Sequence, residues 1–133
     1  VALLEEAIVL RQAGITQPIL VFGGVATRQI PQFIAHDLMM AASSIDKLRQ
    51  IDEAAAAAKK KARVHLKIDT GMERIGVHWY SAEKLLEASL GFANVEVAGI
   101  YSHFANSDAE DLSSAKSSSH DSSKCSNFTR NAA

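Results

Sequence analysis

Apolar residues recur at helical spacing over residues 3–12, where Leu3, Leu4, Ala7 and Ile8 share a side and the aliphatic stem of Arg11 extends it. Gly14 supplies a stop for that helix. After Pro18 the pattern becomes an unbroken apolar run, Ile19-Leu20-Val21-Phe22, closed by Gly23-Gly24, as expected of a buried parallel strand. From 26 to 35 the period is lost and Pro31 interrupts it, which predicts a loop with one helical turn. Residues 38–42 read as a short strand, although Met and Ala are weak strand formers.

Ser43 is placed to cap the next helix, with Asp46 three residues on. Ile45, Leu48, Asp52, Ala55 and Ala56 keep helical spacing, and the alanine run 54–58 has high helix propensity. Lys59, Lys60 and Lys61 follow, where positive charge suits the helix dipole. Val64-His65-Leu66-Lys67-Ile68 alternates as a strand, and 69–76 is a polar, glycine-bounded loop. Ser81 heads a helix to residue 90, with Leu85, Leu86 and Leu90 inward and Gly91 at its end. The last strand is 95–102, with Val95, Val97 and Gly99 on one face.

Strands alternating with helices predict an α/β fold with a parallel sheet and right-handed crossovers. A partial (β/α)8 TIM-type barrel and an open doubly wound sheet both fit, and no Rossmann fingerprint follows a strand. The tail differs: residues 113–133 hold eight serines in 21 positions, and no period survives, so disorder or a non-family end is expected there.

Composition narrows the function. The chain has 133 residues and a formal net charge of -1, so neither nucleic acid nor an anionic membrane is favoured as a partner. The run Lys59-Lys60-Lys61 with Arg63 reads as a solvated helix end. Cys125 is the single cysteine, which excludes a disulfide within the chain and fits a reducing compartment. No apolar run approaches the ~20 residues of a membrane span. The first residues carry Glu5 and Glu6 rather than a basic lead, so no signal peptide is expected. The chain does not begin with Met, and the natural start is expected upstream. The sequon at Asn127 reads as a chance match.

Two strands deliver polar groups at their C-terminal ends, which form the ligand face of α/β sheets and barrels. One runs from Lys67-Ile68-Asp69 into Thr70-Gly71-Met72-Glu73-Arg74, and the other from Ser102 into His103. Lys67, Arg74 and His103 are therefore candidates for one shared site. Blander roles stand beside each. Lys67 would sit at a solvent edge, Arg74 would pair with Asp69 or Glu73, and His103 would be a packing residue. His103, Asp108, His120 and Cys125 satisfy a crude metal-ligand count, but their spacing matches no compact zinc site, and no metal is expected. Asp108, Glu110, Asp111 and the pair His36-Asp37 read as surface. Asp69-Thr70-Gly71 is also the catalytic triplet of aspartic proteases, whose folds are almost wholly β and disagree with the helical patterns here.

Three blocks taken together resemble the alanine racemase family: EEAIVLRQAGITQPILVFGG (5–24), VHLKIDTGMERIGV (64–77) and GIYSHFANSDAED (99–111), in family order and spacing. The resemblance covers 1–112 and implies the central part of an N-terminal (β/α)8 barrel that binds pyridoxal 5'-phosphate. It implies interconversion of L-alanine and D-alanine through a cofactor aldimine, in a cytoplasmic homodimer that supplies D-alanine for peptidoglycan precursors. It also implies roles. Lys67 matches a lysine often carbamylated, which would orient Arg74. Arg74 would contact the cofactor's phenolic oxygen and the substrate carboxylate, and His103 would join the network beside the pyridine ring. Asp69 and Met72 would shape the loop between them. Glu73 stands where many members have glycine.

No residue here matches the lysine that carries the cofactor or the tyrosine that acts as second base. About four strands are expected, short of barrel closure, so this polypeptide alone is expected to be inactive. Alternatives are another barrel enzyme with the same cofactor, such as a serine racemase or a D-threonine-aldolase-like enzyme, or a non-catalytic fragment or binding scaffold. The Ser102-His103-Phe104-Ala105 block favours the racemase.

Overall fold

The computed structural model describes residues 1–105; the stretch 113–133 and residues Asp108, Glu110, Asp111, His120, Cys125 and Asn127 lie outside them, as do the expectations that rest on these. The elements run α1 (Leu4–Gln12), β1 (Leu20–Val21), a 3-10 turn (Thr27–Gln29), α2 (Ile30–Ala35), β2 (Met39–Ala42), α3 (Ile45–Ala57), β3 (Ala62–Asp69), β4 (Val77–His78), a second 3-10 turn (Trp79–Ser81), α4 (Ala82–Ser89) and β5 (Val95–Tyr101). Among the described residues every strand pairing is parallel.

β1 pairs β2, β2 pairs β3, and β3 takes β5 on its other edge, while the short β4 joins only the end of β3. The order is sequential, without the reversal of a doubly wound sheet. One core cluster gathers Leu4, Phe33, Leu48, Ile51 and Leu85 from the four helices with Val21, Met40, Val64, Leu66 and Ile68 from the sheet. All helices thus cover one face, and sequential strands with helices on one side are the arrangement of a (β/α) barrel. Burying each of the larger side chains contributes roughly 2 kcal/mol.

Alternation along the strands sends Met39, Ala41, His65 and Lys67 to the opposite face. On β5 that alternation is broken. Val64 pairs Val97 but His65 pairs Gly99, so Ala98 is an extra residue in a bulge. The bulge turns Gly99 and Tyr101 to the face of His65 and Lys67. Val97 and Gly99 were expected to face the same way and do not. Glycine at 99 makes room for His65, since a Cβ there would lie 2.9 Å from two atoms of that ring and would force it to shift.

Other departures have local causes. Residues 26–35 hold a 3-10 turn and the six-residue α2 where a loop with one helical turn was expected, because Pro31 falls in the first turn of α2, where its missing N–H removes no helical bond. α2 buries Ile30, Phe33 and Ile34. Ser44, not Ser43, caps α3: its backbone is extended and its Oγ accepts the Lys47 N–H at 3.0 Å. Leu90 follows the last turn of α4 and is 78% exposed, so only Leu85 and Leu86 of the expected trio face inward. Leu3 is also exposed, just ahead of α1. Arg11 does more than lend its stem. Its guanidinium donates to the carbonyls of Ile15 (2.7 Å), Gln17 (2.8 Å), His36 (3.0 Å) and Asp37 (2.9 Å) and so ties α1 to the entries of β1 and β2. Among the described residues no helix is long and apolar enough to cross a membrane.

Candidate functional site

Parallel strands put all their C-terminal ends on one rim, and a cleft of about 480 Å3 opens there. Phe22 and Gly23 reach it from the end of β1, Lys67 from β3, Arg74 and Ile75 from the loop after β3, and Ser102 and His103 from beyond β5. Lys67, Arg74 and His103 therefore share one cleft. The solvent-edge role for Lys67 is overturned: both edges of β3 are paired and the residue is 4% exposed.

Burial is the larger reason the Lys67 amine is held below the ordinary lysine value; the Arg74 guanidinium pushes the same way and Asp69 opposes. Its Nζ lies 4.5 Å from the centre of the Tyr101 ring. Among the described residues no carboxylate forms an ion pair with Lys67 or with Arg74. Arg74 is thus not a structural partner of Asp69 or Glu73 through its side chain.

Asp69 spends its carboxylate on the loop itself. Oδ1 accepts the N–H groups of Gly71 (2.8 Å) and Glu73 (3.1 Å), and Oδ2 accepts that of Arg74 (3.1 Å). Burial alone would raise its pKa, but these donors, with Met72, outweigh burial and leave the carboxyl below the usual aspartate range. The loop is wound around one anion, which sets where Arg74 emerges. Glu73 takes a left-handed conformation (φ 54°) to follow that path. Gly76 (φ 134°) brings the chain back against β3, where a Cβ would lie 2.9 Å from the Asp69 nitrogen.

Several residues in or beside the cleft were not among the site candidates. Tyr101 was hidden because only the bulge turns it inward. Its hydroxyl donates to the Phe22 carbonyl at 3.1 Å, and burial pushes its pKa up to about 12. The hydroxyls of Thr70 and Ser102 join the two loops at 2.6 Å, a pairing that a separation of 32 positions conceals in the sequence. His65 lies on the same face of β3 as Lys67, its pKa lowered by burial and its ring 6.4 Å from that of Tyr101. Among the described residues, its Nδ1 is buried without a hydrogen-bond partner. No cluster of three metal-ligating side chains occurs among the described residues.

Comparison with known proteins agrees with this arrangement. The family model described as alanine racemase, N-terminal domain, matches residues 1–131. The alanine racemase of Geobacter sp. (strain M21) is 39% identical over 113 residues, which is 84% of this chain and 30% of that protein. The structure of alanine racemase from Clostridium difficile 630 superposes with a TM-score of 0.89 at 30% identity, over 96% of this chain and 34% of that one. A histidine racemase from Leuconostoc mesenteroides subsp. sake superposes with a TM-score of 0.81 at 27% identity, over 90% of this chain and 32% of its own. The chain spans about a third of the length of these relatives. It belongs to the alanine racemase family and carries the part-barrel of that family's N-terminal domain.

Proposed function

We propose that this chain forms part of an amino-acid racemase that interconverts L-alanine and D-alanine with pyridoxal 5'-phosphate, and that the cleft at the strand ends is its share of the active site. The observation that carries this reading is the convergence of Lys67, Arg74 and His103 on one rim.

The residues suit that cofactor. Two cationic side chains and an imidazole meet apolar walls from Phe22, Ile75 and Tyr101, a combination that accepts a flat ring bearing anionic substituents. Arg74 and His103 would hold it. When bound, the cofactor supplies an electron sink that makes the α-proton of the amino acid acidic.

Arg74 offers a planar fork of donors to a carboxylate or phenolate oxygen, and the Asp69-centred loop fixes its starting point. Lys67, as an ammonium, repels Arg74. As a carbamate it would become an anion and a hydrogen-bond acceptor for the guanidinium, which would hold the fork in place. His103 contributes a ring nitrogen at the rim, able to accept or donate one hydrogen bond. The whole protein would work as a cytoplasmic homodimer. The Leuconostoc neighbour is a histidine racemase, so the choice of alanine is supported by the family and by the Geobacter and Clostridium relatives.

The test has two arms. Pyridoxal phosphate is titrated into the chain and into R74A and H103A, with the cofactor's absorbance as readout, and the protein encoded by the complete reading frame is assayed for equilibration of L- and D-alanine. Saturable binding weakened by both substitutions, with racemisation by the complete protein, is expected. A complete protein that leaves L-alanine unchanged overturns the proposal.

A further inference from the structure

The amine of Lys67 is buried, lies beside a second cation, and has the face of the Tyr101 ring under it at 4.5 Å. The ring is itself held. β5 pairs Tyr101 with Lys67 in register, and the phenol donates to the Phe22 carbonyl across the rim. Phe22 packs on it with ring centres 5.5 Å apart.

We propose that Tyr101 is a positioning residue for Lys67: its ring face is the surface that holds the unmodified ammonium in the cleft and sustains its charged form. An aromatic face carries negative potential and attracts a cation, more so where water is excluded. Of the other charged and titratable groups near the amine, Arg74 opposes its charge and Asp69 supports it weakly, because that carboxylate is committed to the loop. His65 lies two residues back on the same face and His103 lines the cleft, while β2 on the other edge of β3 is uncharged (Met39–Ala42). The bulge in β5 is what delivers the ring, since without it Lys67 would pair with Ile100.

The consequence for catalysis rests on the racemase reading: Tyr101 would set how much Lys67 is a free amine, the form able to react with carbon dioxide. The physical claim can be tested separately. Lys67 in the full chain is titrated by competitive labelling with acetic anhydride across pH, with its peptide quantified by mass spectrometry, in the parent protein, Y101F and Y101L. Loss of the ring in Y101L is expected to lower the midpoint of Lys67 by about half a unit to one unit. Y101F loses the phenol but keeps the ring, and should retain most of the parent value. Circular dichroism identifies any variant that fails to fold, and Y101F then decides against the parent alone: retention supports the proposal and a fall overturns it. A Y101L midpoint that stays or rises, or a Y101F midpoint that falls as far as that of Y101L, also overturns it. No outcome depends on bound cofactor, so the racemase proposal stands or falls by its own assay.

Discussion

The side-chain oxygens of Thr70 and Ser102 meet at 2.6 Å, tying the loop that carries Arg74 to the segment that carries His103. Neither residue was proposed for the shared site of Lys67, Arg74 and His103, yet their bond joins the segments that carry two of these. T70V and S102A are each expected to reduce unfolding free energy by about 1 kcal/mol. In the double variant the cost should fall short of the sum, because the bond between the two hydroxyls can be lost only once. Urea unfolding of the three variants checks this, and strict additivity would refute the coupling.

Asp69 gives the fold a pH dependence of definite sign. Its carboxyl lies below the ordinary aspartate value in the folded chain, because four backbone donors outweigh burial. The unfolded state therefore takes up the proton first as pH falls. The stability contributed is fully present above the unfolded value of about 3.9 and is lost as pH drops through the lowered folded value. D69N should be less stable at neutral pH and show a flatter dependence below about pH 4. Denaturant midpoints between acid and neutral pH measure both effects.

Gly76 and Gly24 make a paired test of backbone constraint. Alanine at 76 would meet the backbone of residues 67–69 at 2.9 to 3.1 Å with φ at 134°. Alanine at 24 would touch only Ile75 Cδ1, at an ordinary 3.6 Å. G76A should cost about 2 kcal/mol or more, and G24A less than about 0.5 kcal/mol. Thermal unfolding distinguishes them, and equal costs would contradict the described path of the loop.

Glu73 has a left-handed φ of 54°, a backbone conformation that favours glycine. A side chain there is strained, although glycine loses more entropy on folding. E73G is expected to raise stability by about 0.5 kcal/mol, since the only ion pair given up among the described residues is a 3.7 Å contact with a half-exposed His78. Calorimetry on the two proteins decides it, and a destabilised E73G would mean that Glu73 contributes a contact worth more than its strain.

Much of this architecture was legible in the chain. Apolar period and glycine punctuation located α1, β1, α3, β3, α4 and β5 because burial on one face imposes those periods locally. Polar residues after β3 and β5 marked the ligand rim because parallel strands end together, which brought Lys67, Arg74 and His103 forward. Pro31 misled because the same ring that breaks a helix interior is welcome in a first turn. The β4 pair Val77–His78 left no signal, being two residues long and held by the end of β3.

Sequence alone determined the order of the elements, the polarity of the strand ends and the residue types available there, since each follows from side-chain chemistry and near neighbours. Tertiary structure alone decided which way Tyr101 faces, which hydroxyls pair, and that the strands lie in sequential order under one layer of helices. Those outcomes depend on contacts between residues far apart in the chain. A single extra residue in β5 reverses the facing of everything after it, and no local pattern records where such a bulge falls.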